Sequence, residues 1–405
     1  MAAPHLYVAI PAMDEMEELP LTLRDLAAQQ VRASFDILVC VNQPDHYWQD
    51  EAKRPVCERN QALLDFLHGF QGLNIRSMDH SSPGKGWQGK HFGVGWARKV
   101  LFDQILSEAR PEDLIISLDA DTRIKPGYLQ SIADNFAAHP EWPAIAVPYY
   151  HPITGDEARD RAILRYEFYM RNYAINLLRI GSPYGFTAIG SAMAMRADAL
   201  RKVGGITPLK SGEDFYLMQK MRKMAAIGLH NDECVYPAAR YSSRVAFGTG
   251  PAMMKGNQGN WDSYPIFAQS CFDSIAESYK QIPHLFHQDR HTGFLDFLQE
   301  TSRSATSLWQ TIRDNVKDLP HFVQAFHEKA DGLRILQYVR RQHKNTQTEA
   351  STLYDNLSSW IPETIPSWWK PELRLEQFSV EQMNNVRNLL FRLENELRKK
   401  IDDSK

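Results

Sequence analysis

The feature that most narrows what this chain can fold into is a repeated alternation along its first half. Short apolar runs bounded by turn residues (HLYVAIP, FDILVCVNQPD, DLIISLDADTRI) are separated by amphipathic stretches near 19–30, 57–70 and 94–108. Runs of that length read as strands and the stretches between them as helices, so the pattern predicts βα units around a mostly parallel sheet. Further strands are expected at 73–77, at 143–150 and in GFTAIGSAMAMR, and a long helix over 157–178. Past the Gly-rich stretch VAFGTGPAMMKGNQGNW the strand alternation stops, and the remaining residues carry only helical spacing. The expected division is an α/β domain over 1–250 and a helical region over 251–405.

The bulk composition excludes several classes. The 405 residues are 43% hydrophobic, enough for a sizeable core plus an extension. Forty-six Lys and Arg against forty-nine Asp and Glu leave a net charge of -3, without the basic field that nucleic-acid binding needs. The four cysteines, Cys40, Cys57, Cys234 and Cys271, are scattered with no CxxC pair, so the expectation is a reducing, cytoplasmic setting. The first residues do not read as a signal peptide, and eighteen apolar residues never run together, so no transmembrane segment is expected.

Chemistry concentrates first in LIISLDADTRI. Asp119 and Asp121 follow the largely apolar run LIISL, at the carboxyl end of a strand, where open α/β sheets bind ligands. Two carboxylates this close repel unless a cation lies between them, and Mg²⁺ or Mn²⁺ suits such a pair with phosphate oxygens completing its shell. The plain alternative is a solvated turn in which Asp121 caps residues 122–124. Downstream, Gly212-Glu213-Asp214 opens a helix with two acids in its first turn. A carboxylate there suits a general base and is favoured in its ionised form by the helix N-terminus. The plain alternative is an ordinary helix start.

Four pieces, in order, resemble glycosyltransferase family two, over about residues 5–250. VAIPAMDE is similar to the family's opening strand and turn, and implies Pro11, Asp14 and Glu15 near the nucleotide, with Asp14 where Asn is usual. ILVCVNQPD resembles the strand whose end reads the base, with Asn42 and Gln43 in place of the usual Asp pair. SSPGKGWQGKHFGVGWARKV is similar to the Gly-Lys-Gly and A-R-N-x-G stretch and brings Lys85 and Lys90 toward phosphate, a plain surface loop being the alternative. GSAMAMRADALRKVGGITPLKSGEDFYLMQKM resembles the acceptor-side strand, turn and E-D pair. The resemblance implies a GT-A fold (Rossmann-like, mostly parallel sheet flanked by helices) with an α-helical C-terminal extension. It also implies a nucleotide-sugar donor, a hydroxyl-bearing acceptor, inversion, Asp214 as general base with Glu213 beside it, and Asp121 with Asp119 as ligands of Mn²⁺ or Mg²⁺. Arg240 and Arg244 are then expected near the donor diphosphate, or else in a structural salt bridge.

Weaker features leave two readings each. Ser379 with Gln382 suggests a capping box for a helix carrying Met383, Val386, Leu390, Leu393 and Leu397, packed on its own domain or forming a homo-oligomer seam. Trp368-Trp369 closes a helical core or makes peripheral membrane contact. His284, His287 and His291 are surface or acceptor-groove residues sooner than a metal site. FGTGPAMMKG is a linker or a lid. Two rivals to sugar transfer stand: a haloacid-dehalogenase-like phosphatase with Asp119 as nucleophile, which also satisfies DxDxT, and a non-catalytic nucleotide-binding scaffold. Against the phosphatase, three βα units precede the motif.

Overall fold

The computed structural model describes residues 3–89, 91–242, 248–302, 306–344 and 346–404. Packing divides the chain into two units: Met1–Ile163 with Ala188–Gly259 and Ile401–Lys405, and Leu164–Thr187 with Asn260–Lys400. The expected division at residue 250 differs from this in one respect of substance. The 164–187 segment, read from sequence as part of the α/β domain, groups with the helical unit.

The first unit holds the strands β1 (Leu6–Ala12), β2 (Phe35–Asn42), β3 (Ile75–His80), β4 (Leu114–Ser117), β5 (Thr122–Arg123), β6 (Ala144–Ala146), β7 (Met193–Arg196) and β8 (Tyr236–Pro237). Six form a mixed sheet in the order β3-β2-β1-β4-β7-β6, with β1 to β4 parallel and β7 antiparallel to both β4 and β6. Every residue of the central strand β1 is buried, as its unbroken apolar run requires of a strand covered on both faces. β5 and β8 make a separate antiparallel pair.

The connecting helices are α1 (Leu19–Ala27), α2 (Arg54–Gly69), α3 (Val94–Glu108), α4 (Tyr128–Ala138), α5 (Glu157–Arg179), α6 (Ala197–Lys202), α7 (Glu213–Met224) and α8 (Thr249–Asn257). α1 and α2 both start with Pro in the first turn, where a missing N–H costs nothing. Leu19, Leu23 and Leu26 of α1 and Leu63, Leu64 and Leu67 of α2 are buried at helical spacing. α3 lays Ala97, Leu101, Phe102 and Ile105 on β1 and β2. The strand expected over 143–150 is only three residues long, because beyond Ala146 the backbone bonds single residues of other segments, Val147 to Ala192 and Tyr150 to Val235.

The second unit is helical: α9 (Ser270–Lys280), α10 (Ile282–Leu285), α11 (Gly293–Ser302), α12 (Leu308–Asn315), α13 (Leu319–Lys329), α14 (Gly332–Gln342), α15 (Glu349–Trp360) and α16 (Val380–Asp402), whose last two residues group with the first unit. The capping box forms: Ser379 N–H donates to Gln382 Oε1 (2.8 Å) and Gln382 N–H to Ser379 Oγ (3.1 Å). The buried face of α16 is not the apolar stripe alone. Met383, Val386 and Leu390 are buried, Leu393 and Leu397 only partly, and Arg387, Glu394 and Arg398 are enclosed in their place. Their charges are met from α5, where Glu167 pairs with Arg387 at 3.1 Å and Arg171 with Glu394 at 2.7 Å. Trp369 is buried edge-on to Phe378 (5.4 Å) and Tyr354 (5.6 Å), which makes it part of a helical core, and Trp368 beside it is half-buried. No described helix is long and apolar enough to cross a membrane. All four cysteines are free thiols.

Candidate active site

The carboxyl ends of β1 and β4 lie side by side where the strand order reverses, the position at which open α/β sheets bind ligands. β4 runs into Leu118, whose N–H bonds Ala9 of β1 (3.1 Å), and the acidic loop follows. That loop is pinned from both flanks. The Thr22 hydroxyl of α1 donates to the Ala120 carbonyl (2.8 Å), and Ala238 N–H, beside β8, donates to the Asp121 carbonyl (3.1 Å). The Ile124 N–H goes to Asp25 (3.1 Å), which also takes the Arg123 guanidinium.

The repulsion between Asp119 and Asp121 is answered by the chain itself. Arg98 of α3, fully buried, pairs one guanidinium nitrogen with Asp119 and another with Glu213. Arg240, just past β8, pairs with Asp121 (2.6 Å) and with the buried Glu15. Two arginines thus lie on the carboxylates that are expected to share a divalent ion. Glu15, Asp119, Asp121, Glu213 and Asp214 bring five carboxyls to this region, and Arg98 and Arg240 are paired with four of them. Asp119 and Asp121 offer hard oxygen donors at 34% and 18% exposure, a set that fits Mg²⁺ or Mn²⁺ with phosphate as the remaining ligand. No group of three or more His, Cys, Asp or Glu that could hold a metal by itself occurs among the described residues.

α7 is preceded by its cap residue Gly212, whose φ of +79° is the left-handed conformation that glycine adopts freely. Glu213 is buried on Arg98, and the half-buried Asp214 receives the Phe215 N–H at 2.7 Å. Burial first, and the neighbouring Glu213 second, push the Asp214 carboxyl up to about 7, against the opposing pull of Arg98 and the Phe215 N–H. The helix N-terminus, which favours the ionised form, acts in the opposite sense. Desolvation and a like charge outweigh it.

A second group sits at the ends of β1, β2 and β3. Asn42 is buried with its amide spent: it donates to the Ala12 carbonyl (2.9 Å) and accepts the Trp87 indole N–H (3.0 Å). Gln43 is bound to Cys57 and Asn60. Trp87 stacks on His80 with ring centres 4.2 Å apart. Asp14 has φ +61°, an unusual conformation for a residue other than glycine, held by Asn60, which accepts its N–H (2.9 Å), and by Arg59 on its carboxylate.

Of the residues singled out from sequence, Glu15, Asp119, Asp121, Glu213 and Arg240 are brought together through Arg98 and Arg240, with Asp214 adjoining. Asp14 and Asn42 lie in the second group, and Pro11 is buried inside β1. Lys85 is largely exposed and pairs with Asp79 (3.0 Å). Lys90 and Arg244 lie outside the described residues. Arg98, Asn60, Trp87 and His80 were missed. The one signal for Arg98 was a charged residue on the apolar face of α3, in a stretch whose resemblance had already been noted.

Residues 114–248 match the model of glycosyl transferase family group 2. Among curated proteins no sequence match is found. Solved structures with some likeness include S. aureus TarS 1–349 in complex with UDP-GlcNAc, 13% identical with a TM-score of 0.40, covering 99% of this chain and 92% of that one. Another is the mannosyltransferase PcManGT from Pyrobaculum calidifontis in complex with GDP-Man and Mn²⁺, 12% identical with a TM-score of 0.37, covering 98% and 88%. The matched segment contains Asp119, Asp121, Glu213, Asp214 and Arg240 together, and it makes this chain a glycosyltransferase with a family group 2 segment over residues 114–248.

Proposed function

We propose that the chain transfers a sugar from a nucleotide-diphosphate donor to a hydroxyl acceptor with inversion, Asp214 serving as general base. The observation that carries this reading is the pairing of the acidic loop with the start of α7 through one buried arginine, inside the segment that matches the family. Asp214 takes the proton of the acceptor hydroxyl as its oxygen attacks the anomeric carbon. The bond from that carbon to the diphosphate oxygen breaks, and its electron pair leaves with the nucleoside diphosphate. A single in-line displacement of this kind needs no enzyme nucleophile and inverts the centre.

Asp121 and Asp119 would hold Mn²⁺ or Mg²⁺, whose chemistry there is to neutralise the departing diphosphate. Arg240, paired with Glu15 and Asp121, has the planar fork that suits phosphate, and Lys85, Lys90 and Arg244 are further cationic candidates for the diphosphate. Pro11, Asp14, Glu15 and Asn42 shape the nucleotide end. The test is a thermal-shift screen of UDP-, GDP-, dTDP- and CMP-sugars with and without Mn²⁺, since a ligand binding only the folded state raises its stability by mass action. One donor class is expected to raise Tm in a metal-dependent manner. If no donor shifts Tm and none is turned over, the reading is wrong.

A further inference from the structure

We infer that Arg98 is the positioning residue that fixes the spacing between the acidic loop and the helix bearing the base. It rests on the reading of Asp214 as that base and goes beyond it, since Arg98 acts through its two carboxylate partners. The guanidinium is a rigid planar fork, and here its two terminal nitrogens are divided between Asp119 at the end of β4 and Glu213 at the start of α7. Both carboxylates are thereby referred to one rigid group on a third element. Among the described residues no other cation pairs with either of them.

The surroundings of Arg98 are shaped to hold it in place. A Cβ added at Gly190 would lie 2.0 Å from Arg98 Nη2, and one added at Gly95, a turn before Arg98 on α3, would lie 2.1 Å from the Leu209 carbonyl in the segment leading to Gly212. Two glycines thus make the room in which the guanidinium and the approach to α7 fit. α3 does not need Arg98 for its own docking, because Ala97, Leu101, Phe102 and Ile105 already bury its apolar face. At 3% exposure of the side chain, water is in no position to replace it.

The consequence is a division of roles. Arg98 sets where Asp214 stands relative to the donor phosphates, so its loss acts on turnover more than on donor affinity. Lysine keeps the charge but offers one compact ammonium in place of a fork, and cannot serve two carboxylates with the same geometry. Gly190→Ala keeps every charged group and displaces the guanidinium by sterics alone.

The experiment measures kcat, donor KM and donor binding for Arg98→Lys and Gly190→Ala, with circular dichroism and Tm on the same preparations. Misplacement of reacting groups by about 1 Å costs about 100-fold, so both folded variants are expected to lose about that factor in kcat while donor binding changes by less than about threefold. Either variant retaining kcat within about threefold of the parent, with or without a lower Tm, overturns the inference. Should Arg98→Lys fail to fold, Gly190→Ala decides. A parent protein inactive with every donor overturns the proposed function and this inference with it. A fully active Asp214→Asn overturns the base and the inference that rests on it, whereas normal kcat in the Arg98 and Gly190 variants beside an inactive Asp214→Asn overturns this inference alone.

Discussion

Acidification is the perturbation that reads Asp214 most directly. Its carboxyl is held near 7 in place of the ordinary 3.8, chiefly by burial and then by Glu213. The neutral form is the one favoured, so the base is lost on the acid side of the profile and at a far higher pH than for an exposed aspartate. With the midpoint at about 7, half the protein carries the base at pH 7, about a tenth at pH 6 and about a hundredth at pH 5, so kcat/KM should fall about tenfold per unit below 7. The stability term has the opposite sense. A raised folded-state pKa means that the folded chain holds this proton more tightly than the unfolded chain, so the contribution is full below the ordinary range and is lost as pH rises through about 7. The assay is initial-rate kcat/KM from pH 5 to 9 at constant ionic strength and fixed Mn²⁺, with donor binding followed in parallel to separate the base from the phosphate-side groups. An acid limb centred near 4, or the same limb surviving in Asp214→Asn, would refute the assignment.

Two stability predictions follow from packing. Glu394→Gln withdraws the carboxylate shared by Arg171 and Arg398, all fully buried, and should cost about 3–5 kcal/mol in urea unfolding; a change under about 1 kcal/mol would mean the network is not integral to the helical unit. Gly228→Ala would put a Cβ 2.4 Å from the buried Trp142 ring, an overpacking expected to cost about 1–3 kcal/mol, and an unchanged Tm would contradict the packing there.

The sheet and the order of its elements were legible because the informative strands are central. β1, β2 and β4 are buried on both faces, and such strands write themselves as uninterrupted apolar runs. α3 was placed at Val94–Glu108 from spacing alone. The short edge strand β6 was overestimated, because isolated bridges beyond it satisfy its backbone without extending the sheet. The acidic loop and the Glu213-Asp214 pair were legible from residue type and position. Their counterions were not: an Arg on an amphipathic helix looks like a snorkelling surface residue until the partner loops are in place. The same blindness hid Arg387, Glu394 and Arg398 inside α16, where heptad counting credits only the leucines. The amide of Asn42 is bonded to Ala12 and Trp87, a tertiary fact that no local pattern carries.

The central claim is that the two carboxylate elements divide the work, the acidic loop holding the donor and α7 performing the proton transfer. It is tested most directly by measuring donor binding and sugar transfer side by side in Asp121→Ala and Asp214→Asn. The account predicts that Asp121→Ala abolishes metal-dependent donor binding. Asp214→Asn should bind donor as the parent does and lose transfer by about 10²–10⁴-fold, the range of a general base. Full transfer by Asp214→Asn, or metal-dependent donor binding by Asp121→Ala equal to the parent's, would contradict it.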